Sequence, residues 1–341
     1  MVEEGSRFAD LNRRAEADRA LRPARFGDFV GQSRACRNLQ VALEAARKRN
    51  EPIEHLLLSG LPGLGKTTLA HIVAAQLGAD LKITSGPAME RTGDLVGLLT
   101  SLQPGDVLFI DEIHRLPRVV EEYLYPAMED LAIDIVIDQG PAARSVRLTI
   151  EPFTLIGATT REGLLTAPFR ARFGLLEKLE LYPDDDLVRI VSRTAALLDV
   201  HIEEDALTLV ASRARGTPRV ANRLLRRVRD LAEVEDSPRV SVELAQEALA
   251  HLGIDAAGLE ETDRKILRCL DLHAPAPVGI KTIAAAVGES EDTLETVYEP
   301  YLLTLGFIAK TPRGRQITDR GLAHIGSRPR GTDTEQARLF E

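Results

Sequence analysis

At 341 residues, with 44% hydrophobic and 28% charged side chains, the chain has the composition of an ordinary globular protein and room for two or three cores. No stretch approaches the roughly 20 consecutive apolar residues that cross a bilayer, and the first twenty residues, with Arg7, Arg13, Arg14 and Arg19 among acids, lack the apolar centre of a signal peptide. The formal net charge of -9 would argue against nucleic acid if charge were evenly spread, but between Leu305 and Arg330 the bases Lys310, Arg313, Arg315, Arg320, Arg328 and Arg330 face the single acid Asp319.

In chain order, residues 1–20 read as a flexible charged arm. Short apolar runs at 55–59, 81–84, 107–110 and 153–157 then alternate with helical patterns, which predicts a parallel sheet flanked by helices. One section breaks the alternation. Residues 133–138, a turn at Gln139-Gly140-Pro141 and residues 146–150 read as a hairpin (about 133–150) inserted ahead of a core strand, with Arg144 and Arg147 exposed. From 183 to 253 the spacing is helical throughout, and Pro218 suits a helix start. After a linker at 253–258, helical patterns at 262–272, 280–287 and 291–305 lead to a turn at Thr311-Pro312-Arg313-Gly314-Arg315. That order predicts a winged helix-turn-helix with Phe307 in its core and a disordered end at 329–341. The expected architecture is thus an α/β nucleotide domain (21–182), a helical lid (183–253) and a winged helix (256–328). Cys36 and Cys269 match no metal or redox spacing and read as buried thiols of a reducing compartment, the cytoplasm by default.

The chemistry is concentrated in a few motifs. Gly60-Leu61-Pro62-Gly63-Leu64-Gly65-Lys66-Thr67 matches the P-loop pattern, with Thr68 behind it, between an apolar run and a helical pattern at 66–77. Its glycines let backbone N–H groups wrap phosphates at a helix start, where the dipole favours negative charge. Lys66 is placed for the β/γ-phosphates of ATP, and Thr67 for Mg2+. The run 107–110 ends in Asp111, suited to the Mg2+ shell, and Glu112, suited to activating water for attack on the γ-phosphate. His114 reads as a satisfied surface histidine. Thr159 and Thr160 follow the run 153–157 at the carboxyl edge of the sheet, where ligands of open sheets lie. Either can sense the γ-phosphate, and a plain capped turn is the competing reading. Arg172, between Phe169 and Phe173, reads either as an arginine aimed at a neighbouring subunit's γ-phosphate or as a surface ion pair. Arg219 leads an arginine-rich helix and is the one best placed to touch phosphate. A wing tip carrying Lys310, Arg313 and Arg315 can meet duplex phosphates without reading bases, in a manner that weakens with salt.

Taken together, GLPGLGKTT (60–68), LFIDEIHRL (108–116), YPAMED (125–130), GPAARS (140–145), GATTR (157–161), Arg170 to Gly174 and Gly216 to Arg219 resemble the AAA+ family, and within it the motors of Holliday-junction branch migration. The resemblance runs from about 21 to 326, and GPAARS and TPRGR (311–315) are far more specific than the P-loop. It implies that Leu21 and Arg22 border the adenine pocket with Tyr182 on the far side, and that Gly63, Lys66, Thr67 and Thr68 bind phosphates and Mg2+. It implies Asp111 and Glu112 as Walker B, and Glu129, Asp130 and Leu131 beside the nucleotide. Thr159 becomes the first sensor, Arg172 the trans-acting arginine finger and Arg219 the second sensor. The same resemblance implies a hexameric ring, four-way junction DNA as substrate in recombination and repair, and a RuvA-type junction-binding partner docked on the hairpin. Leu61 stands where proline is usual, Ala171 where an acid is common and Lys310 where arginine is common, which keeps the charge but loses the bidentate fork. Two other classes compete: a nucleotide-switched loader, against which Glu112 and GPAARS speak, and a winged-helix transcription regulator, which requires one preferred operator.

Overall fold

A computed structural model describes residues 21–137 and 144–327. The N-terminal arm, the turn with Gln139, Gly140 and Pro141, and the tail with Arg328 and Arg330 lie outside the described residues. The chain divides into two compact units: residues up to Leu198 together with Thr217–Arg219, and Asp199–Gly216 together with Val220 onward.

In the first unit, helix α1 (Ser33–Arg49) precedes strand β1 (Leu56–Ser59) and helix α2 (Lys66–Leu77). There follow β2 (Leu81–Ser85), α3 (Thr92–Thr100), β3 (Val107–Asp111) and α4 (Arg118–Glu129). The inserted strands β4 (Ala132–Ile137) and β5 (Arg144–Thr149), then β6 (Thr154–Thr159), α5 (Ala167–Arg170), β7 (Leu175–Lys178) and α6 (Asp184–Leu197) complete it. Five strands form one sheet in the order β2-β3-β6-β1-β7, and every pairing is parallel. The four expected core strands are all present. The composition of β1, β3 and β6 follows from burial on both faces: Val107, Leu108, Phe109 and Ile110 are 0% exposed, whereas the edge strand β2 leaves Ile83 exposed. The fifth, β7, was not anticipated, because four residues with Glu177 and Lys178 among them carry little apolar signal. Helix α1 was not read from the sequence either.

β4 and β5 pair antiparallel, with Ile133 opposite Leu148 and Ile135 opposite Val146. The base of this hairpin belongs to the main core through Ile133 and Ile150, while Val146 and Arg147 are exposed farther out. Arg147 pairs with Asp130 at 2.8 Å.

The second unit contains α7 (Glu204–Ser212), most of α8 (Pro218–Val234) and α9 (Val242–His251), followed by α10 (Glu261–His273) and α11 (Ile280–Val287). Helical turns Glu291–Thr293 and Glu299–Thr304 are joined by a π turn at Leu294–Tyr298, and the three form one continuous element, α12. β8 (Ile308–Thr311) and β9 (Gly314–Ile317) make the antiparallel wing, and α13 (Asp319–His324) closes the order. Val278 bridges to Arg315, tying the wing to the segment before α11. Leu267, Leu270, Ile283, Leu294, Leu302, Ile317 and Phe307 fill the core of this winged helix, so Phe307 is internal as expected. Among the described residues no helix is long and apolar enough to cross a membrane.

One buried histidine ties the sheet to α4. His55 Nδ1 accepts from the Leu155 N–H at 2.9 Å, so Nε2 carries the proton and donates to the Met128 carbonyl at 3.2 Å. Burial holds its pKa below the ordinary histidine value. The folded pKa is the lower one, so the unfolded chain takes up the proton more readily, and this stabilisation is lost as pH falls below about 6.5. Thermal melts from about pH 7 to about pH 5 should therefore show a falling Tm, and His55→Gln, whose amide can make both bonds, should flatten that fall.

Candidate active site

Parallel register decides what meets at the carboxyl edge of the sheet. Ser59 of β1 lies opposite Thr159 of β6, and the Gly60 N–H donates to the Thr159 carbonyl at 3.1 Å. On the other side Ser85 of β2 lies opposite Asp111 of β3. The loop after β1, the two acids after β3 and the threonines after β6 therefore share one edge. Nothing in the sequence marked Ser85, which only the register brings beside Asp111.

The P-loop geometry follows from its glycines. Gly60, Gly63 and Gly65 have φ of +141°, +83° and +102°, values that L side chains rarely adopt. Space is also closed at all three: a Cβ at Gly60 would lie 2.7 Å from the Leu179 carbonyl oxygen, one at Gly63 2.9 Å from Arg219 Cβ, and one at Gly65 3.0 Å from the Phe29 ring. α2 opens directly on this loop with Lys66, and Thr67 and Thr68 are half-exposed in its first turn. That cradle of backbone donors at a helix start fits a polyphosphate.

Lys66 is 8% exposed, and its ammonium donates to the carbonyls of Gly60 at 2.7 Å and Leu61 at 3.0 Å. Burial lowers its pKa to about 8, opposed by the nearby Asp111 and Glu112 carboxylates and assisted by Arg219. Asp111 Oδ1 accepts from the Glu112 N–H at 2.9 Å. Glu112 is a non-glycine residue in the left-handed region, φ +48°, and its carbonyl packs where a Cβ on Gly86 would come within 2.4 Å. Such strain persists only where the surroundings hold it.

The two threonines do different things. Thr159 is 0% exposed, and its hydroxyl is engaged with His114 Nδ1 at 2.9 Å and the Arg161 N–H at 3.0 Å. Thr160 donates to Glu112 Oε2 at 3.2 Å. Thr160 is therefore the threonine whose hydroxyl reaches Glu112, while Thr159, the first sensor implied by the resemblance, meets Glu112 only through His114. His114 needs correction as well. Its side chain is only 7% exposed, and its Nε2 stands 3.4 Å from Glu112 Oε2, so it is an interior bridge between Glu112 and Thr159 rather than a surface histidine.

At the expected adenine side, Leu21 is buried with its carbonyl held by Arg193 at 2.9 Å, while Arg22 is exposed. Tyr182 is buried, and its hydroxyl donates to the Leu64 carbonyl of the P-loop at 3.1 Å; burial raises its pKa. Tyr182 also closes over Gly31, where a Cβ would lie 2.6 Å from the ring. Phe29, beside Gly65, belongs to this wall and carried no signal in the sequence.

Arg172 sits in a second cluster. It donates to the Pro168 carbonyl at 2.6 Å, pairs with Glu129 at 3.2 Å and lies 4.2 Å above the Tyr125 ring. Of the trio expected beside the nucleotide, Glu129 contacts Arg172, while Asp130 pairs with Arg147 and the Leu131 carbonyl accepts from the Ile150 N–H at 2.8 Å; no contact links the three to Lys66 among the described interactions.

In the winged helix the three expected DNA-facing bases part company. Arg315 side chain is 13% exposed and bonds Glu299 at 2.9 Å and Glu295 at 2.9 Å. Lys310 pairs with the buried Glu299 at 2.7 Å while remaining exposed itself. Arg313 stands exposed at the turn. Arg315 is thus turned inward: a buried Glu299 requires cationic partners, and Arg315 supplies one beside Lys310.

Family models match along the chain in three pieces: the Holliday junction DNA helicase RuvB P-loop domain at 21–179, the RuvB AAA lid domain at 182–255 and the RuvB C-terminal winged helix domain at 256–326. The Holliday junction branch migration complex subunit RuvB of Myxococcus xanthus is 55% identical over 322 residues, covering 94% of this chain and 93% of the relative. That of Prosthecochloris aestuarii is 58% identical over 299 residues, covering 87% of each. Among solved structures, the Thermotoga maritima RuvB Holliday junction branch migration motor superposes with a TM-score of 0.83 at 47% identity, covering 90% of this chain and 99% of that one.

Two outcomes test this geometry. ADP affinity should fall as pH rises from about 7 to about 9, because Lys66 loses its charge above about 8; calorimetry should show Lys66→Arg without that limb, its guanidinium staying charged. Arg315→Ala should lower the stability of the winged helix by about 3 kcal/mol, because Glu299 and Glu295 lose a buried cation and Lys310 alone is left to hold Glu299, whereas Arg313→Ala should leave the melt unchanged and weaken DNA binding in a filter or anisotropy assay.

Proposed function

The chain belongs to the RuvB family, and from that premise we propose that it is the ATP-hydrolysing motor that drives branch migration of Holliday junctions in recombination and repair. The observation that carries the mechanism is the single edge at which a P-loop, Asp111, Glu112 and Thr160 converge.

The roles follow from chemistry at that edge. Backbone N–H groups of 63–66 and the start of α2 bind the phosphates of ATP, and Lys66 turns from its loop carbonyls to the β/γ-phosphates. Thr67 and Asp111 are the protein oxygens suited to Mg2+, which supplies neutralisation of charge on the phosphates when bound. Glu112 orients and deprotonates the attacking water, and Thr160 holds its carboxylate at rest and senses the γ-phosphate. Arg219, against Gly63, adds a second cation; Leu21, Arg22 and Tyr182 enclose the base. Arg172 serves a neighbour's γ-phosphate, with Glu129, Asp130 and Leu131 at the same face, so turnover requires a ring, hexameric by family resemblance.

On the DNA side, α12 carries Glu291, Asp292, Glu295 and Glu299, and no Lys or Arg occurs between Lys281 and Lys310. An acidic helix is repelled by the phosphates of a groove, which leaves the wing, Arg313 foremost and Lys310 behind it, to hold duplex backbone. A RuvA-type junction-binding protein docks on the exposed end of the β4–β5 hairpin, and the motor works in the cytoplasm.

The test is migration of a synthetic four-way junction with ATP, with and without a RuvA-type partner. Wild type should move the junction; Glu112→Gln should still bind ATP and DNA but lose turnover by about a hundredfold or more, the range of a general base. Wild type that hydrolyses ATP and never moves a junction would reduce the chain to a nucleotide-switched loader.

A further inference from the structure

Arg215 is a buried cation that the proposed chemistry does not use. It is 9% exposed, and it adopts φ +55°, a left-handed conformation uncommon for any residue but glycine. Its Nε donates to the Gly258 carbonyl at 2.8 Å. Its Nη1 and Nη2 both donate to the carboxylate of Asp263, which is 0% exposed. The guanidinium also lies 5.3 Å from the centre of the Tyr301 ring, and the Tyr301 hydroxyl holds the Ala257 carbonyl at 2.7 Å. Gly258 is a glycine for a reason of the same contact: a Cβ there would come 2.9 Å from the Arg213 carbonyl. Asp263 in turn accepts from the Glu260 N–H at 2.8 Å, capping α10, the first helix of the winged-helix core. The loop before α8 is therefore bonded, through Arg215, to the start of the DNA-holding domain.

The position of this latch in the chain gives it meaning. Gly216 follows it, and then Thr217–Arg219 group with the P-loop unit, while Val220 onward returns to the unit of Arg215. Arg219 packs against Gly63 of the phosphate loop, as the closure of space at that glycine shows. One turn farther along α8, Arg223 pairs with Glu260, beside Asp263. The segment Thr217–Arg219 is thus flanked in the chain by two arginines, Arg215 and Arg223, bonded to the start of α10.

We propose that Arg215 is a positioning residue that ties Arg219 to the winged helix, so that the nucleotide bound at the P-loop changes the grip on DNA. A shift of Arg219 is resisted at Arg215, whose Nε, Nη1 and Nη2 each bond an acceptor at the start of α10, and at Arg223, bonded to Glu260; it is passed to α10 through them. The inference rests on Arg219 contacting nucleotide and on the winged helix holding DNA, as proposed above.

The test measures coupling rather than activity. Affinity for a fluorescein-labelled four-way junction is compared with ATPγS and with ADP bound to the full-length protein. Wild type should show a ratio of about fivefold or more, the usual span of coupled sites. Arg215→Lys keeps the charge beside Asp263 but loses the fork and the bond to Gly258; its ratio should collapse to within about twofold while its ADP affinity and its melt stay near wild type. A folded variant that keeps the full ratio overturns the proposal. If the variant does not fold, hydrogen exchange of the wild type decides: amides at 258–263 should slow with ATPγS, and no change there overturns the proposal equally. A wild-type ratio of one also overturns it, and the junction-migration assay, which does not depend on that ratio, then tells whether the motor reading fails with it.

Discussion

Parallel pairing of β1, β3 and β6 is the constraint on which everything else at the site depends. Each strand ends at the same edge because the pairing is parallel and its register aligns Ser59 with Thr159 and Val107 with Thr154. A slip of one residue would turn every strand side chain to the opposite face. Since Leu57, Leu58, Leu108, Ile110, Leu155 and Ile156 are all at most 1% exposed, both faces are packed and the register is held by the core itself. Hydrophobic burial at 107–110 thus fixes the position of Asp111 and Glu112, residues that bury little themselves.

The site stores strain where it needs direction. Glu112 in the left-handed region is tolerated because its carbonyl fits against Gly86 and its carboxylate is held by Thr160, with the His114 imidazole beside it. His114 is in turn fixed by Thr159, a threonine on the last position of a core strand. Thr159 reaches Glu112 through this chain of bonds, and Thr160 bonds it directly. Adjacent residues of one strand end point to opposite sides, so only one of two neighbouring hydroxyls can face the acid.

Charge in the second unit follows a different rule. A net charge of -9 does not keep arginine on the surface. Arg315 and Arg215 are both drawn inward by buried carboxylates, Glu299 and Asp263, because a buried carboxylate left alone costs far more than an exposed pair gains. What remains outside on the wing is Arg313 and the head of Lys310. The basic character of the segment 305–330 is thus partly structural, and counting bases overstates the surface offered to DNA.

Local pattern determined most of the architecture. The P-loop, the acid pair after an apolar strand, the inserted hairpin, the helical stretch from 183 and the winged helix were all legible, because each is written in residues that are neighbours in the chain. The conserved-looking spacing of apolar residues did not reveal β7, whose four residues carry too little apolar surface, nor the partition of Thr217–Arg219 from the helix they begin. What the sequence could not decide was which side chain reaches which partner. That Thr160 bonds Glu112, that His114 lies inside against Thr159 and that Arg315 turns to Glu299 while Arg313 stands exposed depend on partners 16 to 48 positions away. Local pattern specifies where a strand ends; only the packed sheet and core decide which side chain at that end finds a charge to answer.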